Sequence, residues 1–352
     1  MLGVVAIHIG SQYLTNPTPN LFLLSIYEIA SRFSVPIFFF ISAFGLFYKI
    51  DLAEKFDYIK FLRRRFKAVL IPYLLWSIFY ILHDDFFYGS GIPAPGYALE
   101  ILFFGLAKYQ LYFLVILIWF YLLMPLWIKI LRMMTFKKFL ILFFAQIIFN
   151  HFSSYSVELF QFTNSLPPDS TLKLFLMWRM NYLVLHYAFI FLLGGILAIH
   201  SEKFFDRLAE NKKIIGAGFF ATLITLEGYF FYLVLIKNFS PLAAVNTAHQ
   251  LSLPGFLYTI AASIFLFMLF ENFKFGNFSQ KILSALGKNS YFIYLFHPLA
   301  ITYLMLIFAK LNLVITAANS VILYLLTIFI SLAASLFLKK LRYFFDRKEK
   351  SV

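Results

Sequence analysis

The sequence predicts an all-α, polytopic integral membrane protein with about ten transmembrane helices. Of its 352 residues, 62% are hydrophobic and only 13% are charged, whereas a soluble domain is about half apolar and about a quarter charged. The chain therefore has too few polar side chains to cover a water-soluble globule. Apolar runs long enough to cross a bilayer, which takes about 20 residues, recur along its length.

Polar or charged connections separate these runs and define each span. The second run is the longest, and Pro36 predicts a kink within it. Residues 1–14 scarcely reach across a bilayer, so we expect them to form the outer half of a first helix whose inner half is missing. The predicted spans are 1–14, 21–48, 66–88, 111–131, 138–152, 181–199, 214–236, 254–270, 290–309 and 314–338.

Basic residues predict the orientation of the bundle. Most of the 30 Lys and Arg residues lie in alternate connections and in the C-terminal tail. Cytoplasmic loops of membrane proteins carry such an excess. We therefore expect both termini in the cytoplasm, a single transmembrane domain over residues 1–340 and a basic cytoplasmic tail over 341–352. The basic stretches are 49–67, 129–138, 203–213, 274–288 and 339–350.

The remaining composition excludes several classes of function. The net charge of +14 arises in the cytoplasmic loops, so we expect membrane lipids and no nucleic acid as partners. The chain has no Cys, which excludes disulfides, a thiol nucleophile and a thiolate metal site. The motifs G-x-S-x-G, H-E-x-x-H and the P-loop lysine are absent, and we expect no bound metal or cofactor.

Ionisable residues within spans are costly and suggest function. His8 lies in the first run, and Glu28 and Arg32 lie one helical turn apart in the second, within pairing distance. If the first loop is external, all three share one depth near the outer face. Two interpretations stay open, an ion pair that pins two helices and a catalytic group in which Glu28 and Arg32 assist His8.

A basic cluster precedes the third span in the stretch "RRRFKAVLIPY" (63–73). Such clusters are usually anchors that obey the positive-inside rule. Guanidinium groups also bind phosphate in a bidentate manner, which suits a cytosolic donor that carries phosphates. The residues concerned are Arg63, Arg64, Arg65 and Lys67.

Two further groups are weaker candidates. His83, Asp84 and Asp85 lie at the outer end of the third span, where they form either a metal or sugar site or, as we favour, a solvated helix end. Gly287 and Asn289 mark the predicted start of the ninth span. His297 lies near mid-membrane beside Pro298, which frees backbone groups that His297 can satisfy.

Several blocks together resemble the bacterial membrane acyltransferase-3 family, which includes O-acetyltransferases of surface polysaccharides, lipopolysaccharide and peptidoglycan. The likeness runs almost end to end, and the order of the blocks fits. The blocks are "VVAIHIGSQ" (4–12), "SRFSVPIFFFISAFGLFYK" (31–49), "FLRRRFKAVLIPYLLW" (61–76), "YQLYFLVILIWFYLLMPL" (109–126) and "LGKNSYFIYLFHPL" (286–299).

The resemblance implies ten helices, a cytoplasmic acyl-CoA co-substrate and an acceptor hydroxyl on a glycan or glycolipid outside the inner membrane of a bacterium. It also implies that His8 acts in catalysis and that Arg64, Arg65 and Lys67 serve the donor. The family carries a basic residue ahead of this histidine, which has no counterpart here. We expect His8 to act as a general base, because imidazole has an unperturbed pKa near 6.5. The alternative is an exporter of polysaccharide or lipid-linked sugar that performs no acyl transfer.

Overall fold

The computed structural model describes residues 1–48, 50–52 and 54–349. Lys49 and Lys350, two of the basic residues assigned above to the cytoplasmic side, lie outside the described residues, as does the end of the predicted tail, 351–352. Within the described residues the chain is all-α, and no strand is present. The all-α prediction is therefore confirmed.

Nineteen α-helices lie within the described residues, together with short 3-10 helices at Arg32–Ser34 and Val184–Tyr187 and a π-helical turn at Phe66–Leu70. In chain order the α-helices are α1 (Leu2–Tyr13), α2 (Leu21–Glu28), α3 (Pro36–Phe47), α4 (Tyr58–Arg65), α5 (Ile71–Tyr88), α6 (Pro95–Phe104), α7 (Tyr112–Leu122), α8 (Met124–Arg132), α9 (Phe136–Tyr155), α10 (Val157–Ser165), α11 (Thr171–Met177), α12 (Arg179–Tyr182), α13 (Ala188–Ile199), α14 (Ser201–Glu210), α15 (Lys212–Leu235), α16 (Pro241–Thr247), α17 (Leu253–Asn272), α18 (Asn277–Lys310) and α19 (Ala317–Glu349).

Six segments of the described chain are long and apolar enough to cross a membrane: Leu21–Phe47, Tyr58–Tyr88, Lys212–Leu235, Leu253–Asn272, Asn277–Lys310 and Ala317–Leu341. Three bent helix pairs raise the number to nine if each pair is one span, namely α7 with α8, α9 with α10, and residues 184–199 with α14. These nine segments correspond to nine of the predicted spans. The first predicted span is represented by α1, a helix of 12 residues.

Two helices begin well before the residues at which the sequence predicts their start. The third span begins at Tyr58, because Asp57 caps α4 by accepting from the Lys60 N–H at 3.0 Å. The ninth begins at Asn277, so the prediction that Gly287 and Asn289 mark its start was wrong. Asn289 bonds the carbonyl of Ala285, one turn earlier, at 2.6 Å and thus does not act as a helix cap.

The described chain divides into two compact units. The first unit comprises Met1–Ser34, Leu208–Gln250 and the residues from Leu257 onward, and the second comprises Val35–Arg207 and Leu251–Phe256. In the second unit α3 packs closely against α13, because Gly194 has no side chain to meet the Phe40 carbonyl. Phe120 and Phe191 stack there with ring centroids 4.2 Å apart.

The first unit is built on α1, α2, α15 and the helices from α16 to α19. One face of α1 enters its apolar cluster, and α18 pairs with α19. The turn between α1 and α2 is fixed by Asn20, whose N–H donates to Tyr13 Oη at 2.7 Å and whose side chain caps α2. The cluster includes Val5, Ile9, Tyr13, Leu24, Tyr27, Leu226, Phe230, Tyr258, Ile301 and Leu304.

Candidate functional site

Two imidazoles meet in the first unit. His8 lies half-buried in the middle of α1, and His297 lies fully buried on α18. Their rings are stacked, with centroids 5.3 Å apart and planes inclined by 21°. The structure therefore places a residue that was a weaker candidate directly against the strongest one.

His297 has one bonded and one unbonded ring nitrogen. Pro298 has no N–H, so the carbonyl of Tyr294 loses its helical donor. Nδ1 of His297 lies 3.1 Å from the neighbouring carbonyl oxygen, that of Ile293, and must donate to it because a carbonyl oxygen only accepts. Nε2 of His297 is buried and has no hydrogen-bond partner within the described part of the chain. The predicted role of His297, which is to bond a backbone carbonyl, uses Nδ1 and leaves Nε2 unexplained.

Glu28 and Arg32 form the ion pair that their spacing predicts. Arg32 Nη2 lies 2.9 Å from Glu28 Oε2, and the Glu28 side chain is 1% exposed. The regular helix ends at Glu28 and resumes at Pro36, so Arg32 projects from a 3-10 turn. Its Nη2 also lies 3.4 Å from the Val245 carbonyl oxygen. Arg32 Nε is buried without a partner among the described residues.

Ser11 links this ion pair to the helix that carries His8. Ser11 follows His8 by one helical turn on α1, and its Oγ lies 3.0 Å from Glu28 Oε1. Arg32 lies within electrostatic range of His8. The structure thus brings the Glu28–Arg32 pair to the helix that carries His8. Glu28 reaches α1 through Ser11.

The close approach of α1 to Glu28 depends on Gly10. A Cβ atom at this position would lie 2.7 Å from Glu28 Cγ and 3.0 Å from Tyr27 Cβ, which is closer than such atoms pack. Any larger residue at position 10 would displace the Glu28 side chain. The sequence "HIGS" thus supplies the imidazole, the space for the carboxylate and the hydroxyl that meets it.

Glu227 is an ionisable residue of α15 that sequence reasoning did not single out. It shares a hydrogen bond with Ser25 of α2, and its Oε2 is buried with no partner in the described chain. Nearby, Tyr258 Oη donates to the Ala30 carbonyl, at 2.7 Å, within the interrupted stretch that precedes Pro36. An acid in the middle of a predicted span was the signal that identifies Glu227.

The basic cluster lies in the second unit, at the end of α4 and in the π-helical turn. Arg63, Arg64 and Lys67 are exposed. The guanidinium of Arg65 lies 5.5 Å and 5.7 Å from the ring centroids of Phe61 and Tyr121, which fixes its position by cation–π contacts. Three of the four candidate donor-binding residues are thus available to a ligand, and the fourth anchors the turn.

His83, Asp84 and Asp85 all form bonds to other groups of the protein. His83 Nδ1 lies 2.9 Å from Asp84 Oδ1, and Asp84 Oδ2 lies 2.9 Å from Lys108 Nζ. Asp85 Oδ1 accepts from the Gly91 N–H at 2.9 Å. His83 is buried and its ring lies against that of Phe87, so the favoured interpretation of a solvated helix end was wrong for this residue. No group of three metal-binding side chains occurs in the described part of the chain.

His186, a further intramembrane histidine, belongs to a structural network in the second unit. Its Nδ1 lies 3.1 Å from the Leu183 carbonyl oxygen, and its Nε2 lies 2.9 Å from Ser153 Oγ. Gln146 bonds the Leu185 carbonyl and the Phe189 N–H. These side chains satisfy the backbone at the point where α13 begins.

The cluster in the first unit can carry proton-transfer chemistry. The His8 imidazole is stacked on a second imidazole, and its helix is joined through Ser11 to a buried carboxylate–guanidinium pair, so several groups that can accept or donate protons lie together. At His83 the carboxylate and its Lys108 partner are partly exposed, and at His186 both ring nitrogens meet protein groups. We therefore regard His8, Glu28, Arg32 and His297 as the candidate active site.

Comparison with known proteins gives one match. A family model described as an acyltransferase domain, that of the acyltransferase-3 family, matches residues 1–340. No curated protein matches the chain, and no solved structure does.

Proposed function

Because the chain belongs to the acyltransferase-3 family and is a membrane acyltransferase, we propose that it acylates a hydroxyl group of a cell-surface glycan or glycolipid. The donor is acyl-CoA from the cytoplasm, with acetyl-CoA as the first choice, and the chain resides in the inner membrane of a bacterium. An exporter without chemistry finds no support, since the family is enzymatic. The observation that carries the proposal is the stacking of His8 on the buried His297, on a helix that Ser11 joins to the Glu28–Arg32 pair.

The proposed topology has ten spans with both termini in the cytoplasm. Nine segments fit the length and composition of a span when bent pairs are counted, and α1 supplies the tenth. The concentration of Lys and Arg in alternate connections supports the orientation. In this arrangement His8 lies toward the outer face, the side of the acceptor.

In the proposed reaction His8 is the general base. Its imidazole takes the proton of the acceptor hydroxyl while the hydroxyl oxygen forms a bond to the acyl carbon. The carbon–sulfur bond of the thioester then breaks, and the imidazolium returns the proton to the thiolate to give free coenzyme A. General base catalysis of this kind contributes about 10²–10⁴-fold to a rate.

Glu28 and Arg32 support His8 in this scheme. Glu28 carries a negative charge that stabilises the imidazolium formed during the reaction, and Ser11 couples the carboxylate to α1. Arg32 holds Glu28 in place through the 2.9 Å ion pair. Both residues are therefore proposed as positioning residues.

The donor side of the proposal rests on the basic cluster of the second unit. Arg63, Arg64 and Lys67 are exposed and present donors suited to the phosphates of coenzyme A. Arg65 holds the turn in place. Because the proposed attack occurs on the thioester itself, the thioester end of acyl-CoA has to reach His8 before the carbon–sulfur bond breaks.

Glycan analysis of cells with and without the gene tests this function. We expect an O-acyl ester that is present with the wild-type gene and missing without it. A His8→Ala variant should form the ester about 10²-fold more slowly or worse, whereas His200→Ala, which changes an exposed histidine after α13, should match the wild type. Wild-type activity of a folded His8→Ala variant would remove His8 from the mechanism.

A further inference from the structure

His297 presents a fixed hydrogen-bond acceptor beside His8. Nδ1 of His297 carries a hydrogen, because it lies 3.1 Å from the Ile293 carbonyl oxygen, which only accepts. In the neutral ring Nε2 then holds a lone pair. The Ile293 carbonyl thus sets the tautomer of His297, in the way that a carboxylate sets it in many enzymes.

That acceptor is left without a donor by the protein. The side chain of His297 is fully buried, and its Nε2 has no partner among the described residues. Buried polar atoms are nearly always hydrogen-bonded, since an unsatisfied one destabilises the folded state. A buried acceptor that costs stability requires a reason, and a ligand that supplies a donor is one.

The second unit contains a buried histidine whose two ring nitrogens both meet protein groups. His186 has the same backbone anchor, with its Nδ1 3.1 Å from the Leu183 carbonyl oxygen, but its Nε2 meets Ser153 Oγ at 2.9 Å. At His297 no serine or threonine fills that place, and the ring packs on His8 instead.

The number of hydrogens on the reacting hydroxyl then defines the kind of ligand that His297 requires. The reacting hydroxyl has one hydrogen, and in the proposed function that hydrogen goes to His8. The hydrogen bond to His297 Nε2 must therefore come from a second donor on the same acceptor, close to the reacting oxygen because the two rings are stacked 5.3 Å apart.

We propose that His297 is an acceptor-binding residue whose Nε2 accepts a hydrogen bond from a second hydroxyl of the acceptor, adjacent to the one that is acylated. The substrate class is accordingly a polyol with neighbouring hydroxyls, such as a sugar ring, and a lone alcohol binds less well. This inference rests on the proposed function, in which His8 removes the proton of the reacting hydroxyl.

Three variants in the intact protein test the proposal. His297→Phe keeps an aromatic ring against His8 but removes both ring nitrogens, Nδ1 with its bond to the Ile293 carbonyl and the unbonded Nε2. His297→Gln places an amide oxygen near the position of Nε2, and this oxygen accepts a hydrogen bond but does not take up a proton. His186→Phe is the matched control in the second unit.

The first measurement is the rate at which O-acyl ester appears on the surface glycan after induction of each gene. We expect His297→Phe to lower this rate about tenfold, the value of one hydrogen bond, His297→Gln to recover most of it, and His186→Phe to match the wild type per folded molecule. Wild-type activity of His297→Phe, or a His297→Gln variant as slow as His297→Phe, overturns the proposal. Absence of ester with the wild-type gene instead shows that the proposed function itself fails.

The second measurement needs no substrate. Thermal unfolding of the purified proteins should show His297→Phe close to the wild-type midpoint, because removal of an unsatisfied buried acceptor offsets the loss of the Nδ1 bond to the Ile293 carbonyl. His186→Phe should unfold at a lower temperature, because it leaves the Ser153 hydroxyl without its partner. If both variants are destabilised alike, Nε2 of His297 has a partner within the protein, and the proposal is wrong.

Discussion

His297 in the first unit and His186 in the second are both buried histidines in apolar helices, and both have Nδ1 3.1 Å from a backbone carbonyl oxygen. They differ at Nε2, which meets Ser153 Oγ in His186 and meets no described group in His297. A polar residue within a span is thus not a sign of function by itself. The two histidines differ in whether the protein completes the hydrogen bonds of the imidazole.

The same contrast holds for the groups around the two histidines. In the second unit Gln146 bonds both sides of the junction before α13, although Nδ2 of its neighbour Asn150 has no partner among the described residues. In the first unit Arg32 keeps an unbonded Nε beside its ion pair. Gln146 thus serves to fix the backbone, whereas Arg32 and His297 each keep one buried nitrogen without a partner among the described residues.

The two ion pairs give the sharpest contrast, and the largest expected effect. Arg32→Met leaves Glu28, which is 1% exposed, with Ser11 as its remaining donor among the described residues, so we expect a loss of about 3–5 kcal/mol in the free energy of unfolding. Lys108→Met breaks a partly exposed pair with Asp84, which keeps its contact with His83, so we expect a loss of at most about 1 kcal/mol.

Unfolding of the two variants, measured in the same detergent, decides the point. Equal losses of unfolding free energy would mean that burial makes the ion pair of the first unit no more important for stability than that of the second. The distinction between the two polar regions would then rest on the histidines alone.

A second prediction concerns the space that lets α1 reach Glu28. Gly10→Ala places a Cβ atom 2.7 Å from Glu28 Cγ, and the strain should cost about 1–3 kcal/mol and slow ester formation. The control is Gly228→Ala in α15, where no atom lies within 4 Å of the added Cβ. That variant should be more stable by about 0.5–1 kcal/mol, because alanine is the better helix former. The two substitutions should therefore change thermal unfolding in opposite directions, and a stable, fully active Gly10→Ala variant would contradict the packing described here.

The sequence predicted the parts of the fold that depend on composition. A long apolar run favours a helix in lipid, because a helix satisfies its backbone hydrogen bonds within a single segment, and nine predicted spans correspond to candidate segments in the structure. Helix starts were less predictable. Asp57 extends the third span into the basic cluster as a cap, and amphipathic residues extend α18 back to Asn277, where the apolar pattern gives no signal.

The sequence predicted only part of the candidate site. Glu28 and Arg32 are one turn apart, so local spacing predicted their pair. The contact between His8 and His297 joins the first helix to one near the end of the chain, and no spacing rule predicts which faces of two distant helices meet. His83 shows the converse. Its neighbours in sequence suggested a binding site, but Asp84 is paired with Lys108, a residue from another segment.

Ser11→Ala gives the smallest predicted effect and tests whether Glu28 acts on α1 at all. The Ser11 hydroxyl has one hydrogen and two acceptors in reach, Glu28 Oε1 at 3.0 Å and the Ile7 carbonyl oxygen at 3.1 Å, so its bond to Glu28 is shared. Ser11 is also exposed, and the loss of stability should be about 0.5–1 kcal/mol. Ester formation should nevertheless fall a few-fold, because the carboxylate loses its link to the helix of His8. The second unit offers Ser165→Ala as a control, since its exposed hydroxyl bonds the nearby Phe162 carbonyl within its own helix. If Ser11→Ala and Ser165→Ala form ester at the same rate, Glu28 serves only to hold Arg32, and the carboxylate of the first unit is as structural as the network around His186.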